Sequence, residues 1–289
     1  MFSDMLVLVL FLALQVSANC LYGTDFYDHS LIKRASNAAP FGYTDGLSPL
    51  LWATLHPSYA NCATSNVQSP INLDNGTAFC TENVSIDIPI AETSIMQNLG
   101  WTVQVVYSGT TTLGNSTFNL KQFHFHTPSE HRIREEHFPL EMHMVHQNQG
   151  PLLSKSLLML DGSSTFLAVT VLFELSDGPG LAFIDNIVAG LPAITQAGTN
   201  TTVHGLDLTP IIDLQTSSAS KYLYSGSLTT PPCSEGVTFL IPEITLPISV
   251  DQYKALKSVI KFNSRYMQNK LGDENLLQLA KGNETCSQG

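Results

Sequence analysis

A mainly β protein, a single domain with a few short helices, is the fold class that this sequence predicts, and three observations predict it. From Phe41 onward, short runs rich in β-branched and aromatic residues alternate with Gly, Pro, Asn and Ser turns: NVSIDIPI, GWTVQVVYS, STFNLKQFHFH, LEMHMVHQ, STFLAVTVLFEL and GVTFLIPEITLPI. Helix signals are sparse beside them. No internal repeat or low-complexity linker divides the chain, whose 289 residues are 43% hydrophobic and 13% charged, enough apolar material for one sizeable core.

Met1 to Ala18 reads as a secretory signal peptide. The run MLVLVLFLALQV is apolar but too short to span a bilayer, and VSA sets small residues at a cleavage point after Ala18; the basic start usual in such peptides is replaced by Asp4. Residues 19–40 are polar and aperiodic, an extended leader or candidate propeptide, with Lys33-Arg34 a dibasic pair suited to processing or to plain solvation. The folded domain is expected over 41–289. No later run reaches membrane-spanning length, so a secreted, extracellular protein without a membrane span is expected. Asn75, Asn83, Asn115, Asn200 and Asn283 each open an Asn-X-Ser/Thr tripeptide, which makes them glycosylation candidates on that route. The net charge of −11 disfavours nucleic acid and anionic membranes as partners.

Among the strands, KQFHFHTPSEH carries the chemistry. Residues i and i+2 of a strand share a face, so His124 and His126 project together while Phe123 and Phe125 point into a core. LEMHMVH alternates likewise: His143 shares a face with Glu141 and Val145, and Met142, Met144 and His146 take the other. Pro128 and Pro139 lie between the two runs, so the chain can turn back and lay the second beside the first. An isolated His-X-His is ordinarily a satisfied surface pair, but six of the nine histidines fall between His124 and His146. Three imidazoles from two neighbouring strands match the ligand count of a catalytic zinc site, with the fourth position left to water. Nitrogen-only ligation favours zinc, although cobalt and copper also suit it.

The clearest helix is SVDQYKALKSVI, where Ser249 is a natural N-cap with Gln252 three residues on, and Tyr253, Leu256, Val259 and Ile260 share a face. The five cysteines are Cys20, Cys62, Cys80, Cys233 and Cys286, without the close pair spacing of a cysteine zinc site. An oxidising compartment would pair them, and the odd count leaves at least one free or bridging two chains in a homodimer.

QFHFHTPSEH, then EMHMVH, then YSGSLTTPPCSEG, in that order, resemble the α-class carbonic anhydrases, and FGY at 41–43, Trp52, QSPINL at 68–73 and NSR at 263–265 extend the likeness. The resemblance implies a single domain around a large, twisted, mostly antiparallel mixed sheet, and zinc at the base of a conical cleft. It implies the reversible hydration of carbon dioxide to bicarbonate and a proton by a zinc-bound hydroxide, with a catalytically weak binding module of the same fold as the alternative. His124, His126 and His143 resemble the zinc ligands; Gln122, Glu141 and the backbone carbonyl of Asn263 resemble their outer partners, which fix ring orientation. Thr229 resembles the hydroxyl that orients the nucleophile and donates to a buried carboxylate, here Glu130, and Thr230 the second hydroxyl of that loop. Val145, Leu167, Val169, Leu228, Val237 and Phe239 match the pocket-lining positions, with Phe239 where the family usually has Trp. Tyr43 and Gln104 match polar cleft residues that order water. Trp101 matches the position at which fast members carry a proton-shuttling histidine; an indole does not titrate, so modest, buffer-dependent turnover is expected. A Cys62–Cys233 bridge is implied by the extracellular members, with one of Cys20, Cys80 and Cys286 left for an interchain link.

Overall fold

The alternating runs pair into one ten-stranded sheet in the computed structural model, which describes residues 40–149 and 165–283. The expected signal peptide, the expected leader but for residue 40, the Lys33-Arg34 pair, Cys20 and Cys286 lie outside those residues. The strands, in chain order, are β1 (Asn72–Leu73), β2 (Val84–Asp87), β3 (Ala91–Asn98), β4 (Val103–Leu113), β5 (Ser116–His126), β6 (Arg132–Ile133), β7 (Leu140–Asn148), β8 (Phe166–Ser176), β9 (Asn200–Leu206), β10 (Lys221–Ser227), β11 (Glu235–Pro242) and β12 (Leu246–Ser249). Across the sheet the order is β10-β11-β8-β7-β5-β4-β3-β9, with β12 added to β8 and β2 to β4, while β1 and β6 make a separate parallel pair. Pairing in the large sheet is antiparallel except where β11 and β12 each meet β8, so the sheet is mixed and mostly antiparallel. Among the described residues no helix is long and apolar enough to cross a membrane.

Two helical turns, α1 (Trp52–Leu55) and α2 (Asn61–Thr64), precede the sheet, and α3 (Ala182–Gly190), α4 (Thr209–Ser217), α5 (Val250–Ile260) and α6 (Leu276–Asn283) follow its strands. α5 starts as its sequence predicts: the Ser249 side chain accepts from the Gln252 amide, and the Gln252 side chain accepts from the Ser249 amide, which satisfies two otherwise orphaned donors. Leu256 and Ile260 of α5, with Phe183, Ile184 and Ile187 of α3 and Ile211 and Leu214 of α4, bury one sheet face, which carries Phe123, Phe125, Met142 and Met144. Transfer of such side chains from water contributes on the order of 1.5–3 kcal/mol each. The opposite face carries the histidines.

A register shift separates the two halves of β5: Leu120 pairs with His146, yet Gln122 pairs with Val145, so Lys121 is an extra residue. A bulge of this kind re-aims every side chain beyond it. Phe118 and Leu120 before it, and Phe123 and Phe125 after it, therefore share the helix-covered core, and Gln122, His124 and His126 turn together to the other side.

His146 lies on the helix-covered side, fully buried, its Nδ1 2.9 Å from the Met144 carbonyl and its Nε2 2.9 Å from Thr111 Oγ1. Burial lowers its pKa to about 4 from 6.5. The unfolded chain therefore binds a proton that the folded chain refuses, so stability present above pH 6.5 is lost as pH falls toward 4. The loss amounts to about 3 kcal/mol. Urea unfolding at a series of pH values should show His146→Gln with a flatter acid limb than the parent; parallel profiles would refute the assignment.

Cys62 and Cys233 are bonded, with Cα atoms 5.1 Å apart across 171 residues of sequence. Both are fully buried beside Trp52 and Tyr59, with Phe41 and Tyr43 packed against them. The bridge joins α2 to the segment before β11. Closing so long a loop restricts the unfolded chain, and Cys62→Ser with Cys233→Ser should cost about 2–4 kcal/mol in urea unfolding. An unchanged midpoint and slope would refute this. Cys80 is free among the described residues and half-buried.

Candidate metal centre

Strand pairing brings the three histidines together. His124 lies directly across from His143, and His126 across from Glu141, on neighbouring β5 and β7. Their ring centroids are 4.7–5.4 Å apart, and each ring offers one nitrogen within 4.8 Å of the others. The second nitrogen of each ring is already engaged. His124 Nδ1 is 2.9 Å from Gln122 Oε1, His126 Nδ1 2.9 Å from the Asn263 carbonyl, and His143 Nε2 2.6 Å from Glu141 Oε1. These acceptors fix the ring tautomers, which leaves Nε2 of His124, Nε2 of His126 and Nδ1 of His143 for the cluster. The two Nε2 atoms are buried without a hydrogen-bond partner among the described residues. Buried nitrogens left bare are costly unless something else satisfies them, and a divalent cation does so. Burial, with the neighbouring rings second, holds His124 well below the ordinary imidazole pKa, and burial lowers His126 to about 4. Both are the neutral imidazoles that a metal needs.

Asn263 does more than accept from His126. Its Oδ1 takes the Thr127 amide at 2.7 Å and its Nδ2 donates to the Phe125 carbonyl at 2.8 Å, so the end of β5 is held on both sides of the ligand. Gln122, the partner of His124, is fully buried on β5. Glu141 is fully buried and takes four donors: the amides of Glu130 and His131 at 2.7 and 2.8 Å, His131 Nδ1 at 2.6 Å and His143 Nε2 at 2.6 Å. Although burial opposes it, His131 and His143 hold this carboxyl well below the usual range.

His131 carries no role in the sequence reading, yet it extends this network. Its Nε2 is 2.5 Å from Tyr224 Oη, which is 3.0 Å from Ser69 Oγ. Arg265 is the other residue that sequence reasoning leaves without a role. Fully buried, it donates to the carbonyls of Ser69 and Cys62 and to Gln68 Oε1, and its backbone amide donates to Glu130 Oε1 at 2.9 Å. The signals available were the histidine within SEH and the arginine within NSR, but neither spacing reveals a buried chain of contacts across distant segments.

Thr229 and Thr230 are buried in the loop between β10 and β11. The loop is fixed by the Cys233 amide on the Thr230 carbonyl at 2.9 Å, by Gln68 Nε2 on the Cys233 carbonyl at 3.0 Å and by the disulfide. Glu130, 1% exposed, has Oε2 3.5 Å from His126 Nε2. Burial raises its pKa to about 7, and His143, the Thr229 hydroxyl and the Arg265 amide restrain the rise.

Val145, Leu228, Val237 and Phe239, named in the sequence reading, belong with Phe166 and Ala168 to one buried apolar cluster beside His143. Leu167 and Val169 do not belong to it, which corrects the sequence reading by one residue. In the β7–β8 register Val145 faces Ala168, while Leu167 pairs with His146 and Val169 with Met144, so both point into the helix-covered core. A period of two makes a one-residue offset exchange the faces. Phe239 lies 5.7 Å from the His143 ring and stacks on Tyr224.

Trp101 is 8% exposed, its ring 5.9 Å from His124 and 5.5 Å from Phe41. Tyr43 packs against Phe41 and Trp52 near the disulfide. Gln104, directly across from His124 on β4, donates to Gln97 Oε1 at 3.2 Å. The arrangement can hold one cation on three imidazoles, beside the Thr229 hydroxyl and the Glu130 carboxyl on one hand and a greasy surface on the other.

Comparison with known proteins bears on that arrangement. Residues 48–276 match the family model described as eukaryotic-type carbonic anhydrase. A carbonic anhydrase of Pectobacterium atrosepticum is 34% identical over 238 residues, covering 81% of this chain and 89% of the relative. The fungal α-carbonic anhydrase of Aspergillus oryzae superposes with TM-score 0.76 at 38% identity, over 83% of this chain and 98% of that one. The α-carbonic anhydrase of Thermovibrio ammonificans, solved with the inhibitor sulfanilamide, gives 0.69 at 28%, over 83% and 99%. With the match spanning most of its length and the sheet that carries the histidines, this chain belongs to the eukaryotic-type carbonic anhydrases, a generally zinc-dependent family of carbon dioxide-hydrating enzymes.

Proposed function

We propose that this chain is a catalytically complete carbonic anhydrase, interconverting carbon dioxide and bicarbonate at a zinc ion held by His124, His126 and His143. The observation that carries the reading is the trio of imidazoles, each with its outer nitrogen engaged and its inner one within 4.8 Å of the others. Zinc held there would supply a Lewis acid that lowers the pKa of a bound water to about 7. Gln122, Glu141 and the Asn263 carbonyl keep the three rings in the ligating tautomer. In its ionised form Glu130 only accepts, so it would draw the Thr229 hydroxyl proton to itself. The Thr229 oxygen would then be left to accept from an attacking water or hydroxide, and would orient it. Thr230 offers a second hydroxyl, and Val145, Ala168, Leu228, Val237 and Phe239 face the small apolar substrate. A binding module without catalysis is not favoured, because the three imidazoles, Glu130 and Thr229 all stand together.

The same reading has the chain exported, with residues 1–18 removed and 41–289 as the folded domain. Its supports are the Cys62–Cys233 bond, which suits an oxidising compartment, and the exposure of Asn75, Asn83, Asn115 and Asn200. The test is direct. Purified protein should carry one zinc per chain by elemental analysis, hydrate carbon dioxide in stopped flow, and lose that activity to sulfanilamide. Protein that holds zinc and does not hydrate carbon dioxide would overturn the catalytic reading.

A further inference from the structure

The ten-stranded sheet has two edges, and they are treated differently. At the β10 edge the segment 78–80 lies alongside: the Leu223 amide donates to the Ala78 carbonyl at 2.9 Å, the Cys80 amide donates to the Lys221 carbonyl at 2.6 Å, and Phe79 bridges Tyr222. At the other edge β9 pairs only with β3 among the described residues. β9 is seven residues long and contains no Lys, Arg, Asp, Glu or Pro. Such an edge has none of the usual residues that deter pairing with another chain. Asn186 of α3 covers its far end by donating to the Gly205 carbonyl at 2.8 Å, which leaves the Asn200 end open. Ile95, across from Thr202, adds 37% exposed apolar surface there. Beside this end runs a groove of about 290 Å³, lined by Ala189, Gly190 and Ala193 on one side and Thr201, Thr202 and His204 on the other.

Asn200-Thr201-Thr202, at the start of this open edge, is also an N-glycosylation tripeptide, with Asn200 and Thr202 exposed. The other candidates among the described residues lie elsewhere: Asn75 in the turn after β1, Asn283 at the end of α6, and Asn83, just before β2, beside the β4–β5 turn that holds Asn115, where the Gly114 amide donates to the Asn83 carbonyl at 3.0 Å. We propose that Asn200 carries an N-linked glycan that lies over the open half of β9 and its groove, and prevents two copies of the chain from pairing edge to edge. The proposal rests on the export reading above. In the transfer, Asn200 Nδ2 attacks the anomeric carbon of an oligosaccharide linked to a lipid diphosphate. The N–C bond forms as the C–O bond to diphosphate breaks; the lipid diphosphate leaves with the electron pair and the amide gives up one proton. The glycan then occupies, by bulk and hydration, the role that an edge lysine fills in other sheets.

The full chain, secreted from a eukaryotic host, tests this by peptide mapping after enzymatic deglycosylation in isotope-labelled water, and by light scattering. The expected result is a labelled Asn200 and, for Asn200→Gln or Thr202→Ala, a rise of about twofold or more in mass over the parent, dependent on concentration. Thr202→Ser, which keeps the tripeptide, and Asn200→Lys, which charges the edge, should stay at the parent's mass. Carbon dioxide hydration per chain should be unchanged in all four, which shows that each is folded. A second arm replaces residues 1–18 by the leader of a host secretory protein. Export in that arm alone would remove the native signal from the export reading and leave the Asn200 proposal standing on its own mapping. A bare Asn200 in exported protein, or Asn200→Gln at the parent's mass across the concentration range, would overturn it.

Discussion

Thr229→Ala is expected to lower kcat/KM for carbon dioxide hydration by about 10²-fold with zinc content unchanged, since misplacing a reacting group by an ångström has a cost of that order. Thr229 is 2% exposed on a loop tied to the disulfide, and its hydroxyl acts on Glu130. Neither residue is among those that contact an outer ring nitrogen, so removing either should leave the metal in place and lose only orientation. Glu130→Gln makes the point separately: a carboxamide can donate, so the Thr229 hydroxyl is no longer forced to spend its proton there, and a loss similar to that of Thr229→Ala is expected. Glu141→Gln should behave otherwise. It weakens an acceptor shared by His143, His131 and two loop amides, so zinc affinity should fall by about 10–100-fold. Zinc titration alongside stopped-flow rates separates the two classes. Equal loss of zinc in all three variants would mean that Thr229 and Glu130 hold the centre together, and the orienting role would fail.

The contrast shows which parts of this site are legible in sequence. The histidine face is legible because a strand alternates and HFH with EMHMVH keeps phase; the β5–β7 register then places His124 across from His143. The capping box of α5 is legible because it is local. The bulge at Lys121 is not, since a backbone insertion leaves no mark in a run that reads as continuous strand, and it alone brings Leu120 and Phe123 to one face. Leu167 and Val169 fail for a related reason. In β8 the residues from Phe166 to Phe173 are all buried, so hydrophobicity does not distinguish its faces and only pairing does. The fourfold use of Glu141 and the buried Arg265 depend on contacts between distant segments, which no spacing encodes.

Trp101 sets the second large effect. Each hydration releases a proton that must leave the site before the next turnover. The indole beside His124 has no group that titrates near neutral pH; it is 8% exposed, and its Nε1 has no hydrogen-bond partner among the described residues. Gln104, across from His124, does not titrate either. Glu141 is committed to four donors within the site. Glu130 titrates near neutral pH but is 1% exposed and so is closed off from solvent. If buffer is therefore the proton acceptor, kcat should climb with buffer concentration, while kcat/KM, which reports the steps up to carbon dioxide conversion, should not. Trp101→His sets an imidazole of ordinary pKa about 6.5 beside the cleft. In dilute buffer it should raise kcat by about 10-fold, a conservative share of the 10²–10⁴ that a positioned acid–base group contributes, and flatten the buffer dependence. Trp101→Phe keeps the aromatic packing on Phe41 and adds no titrating group, so it should retain the parent's dependence. A parent enzyme whose kcat is the same in dilute and concentrated buffer would show that another residue carries the proton, and that Trp101 does not limit turnover.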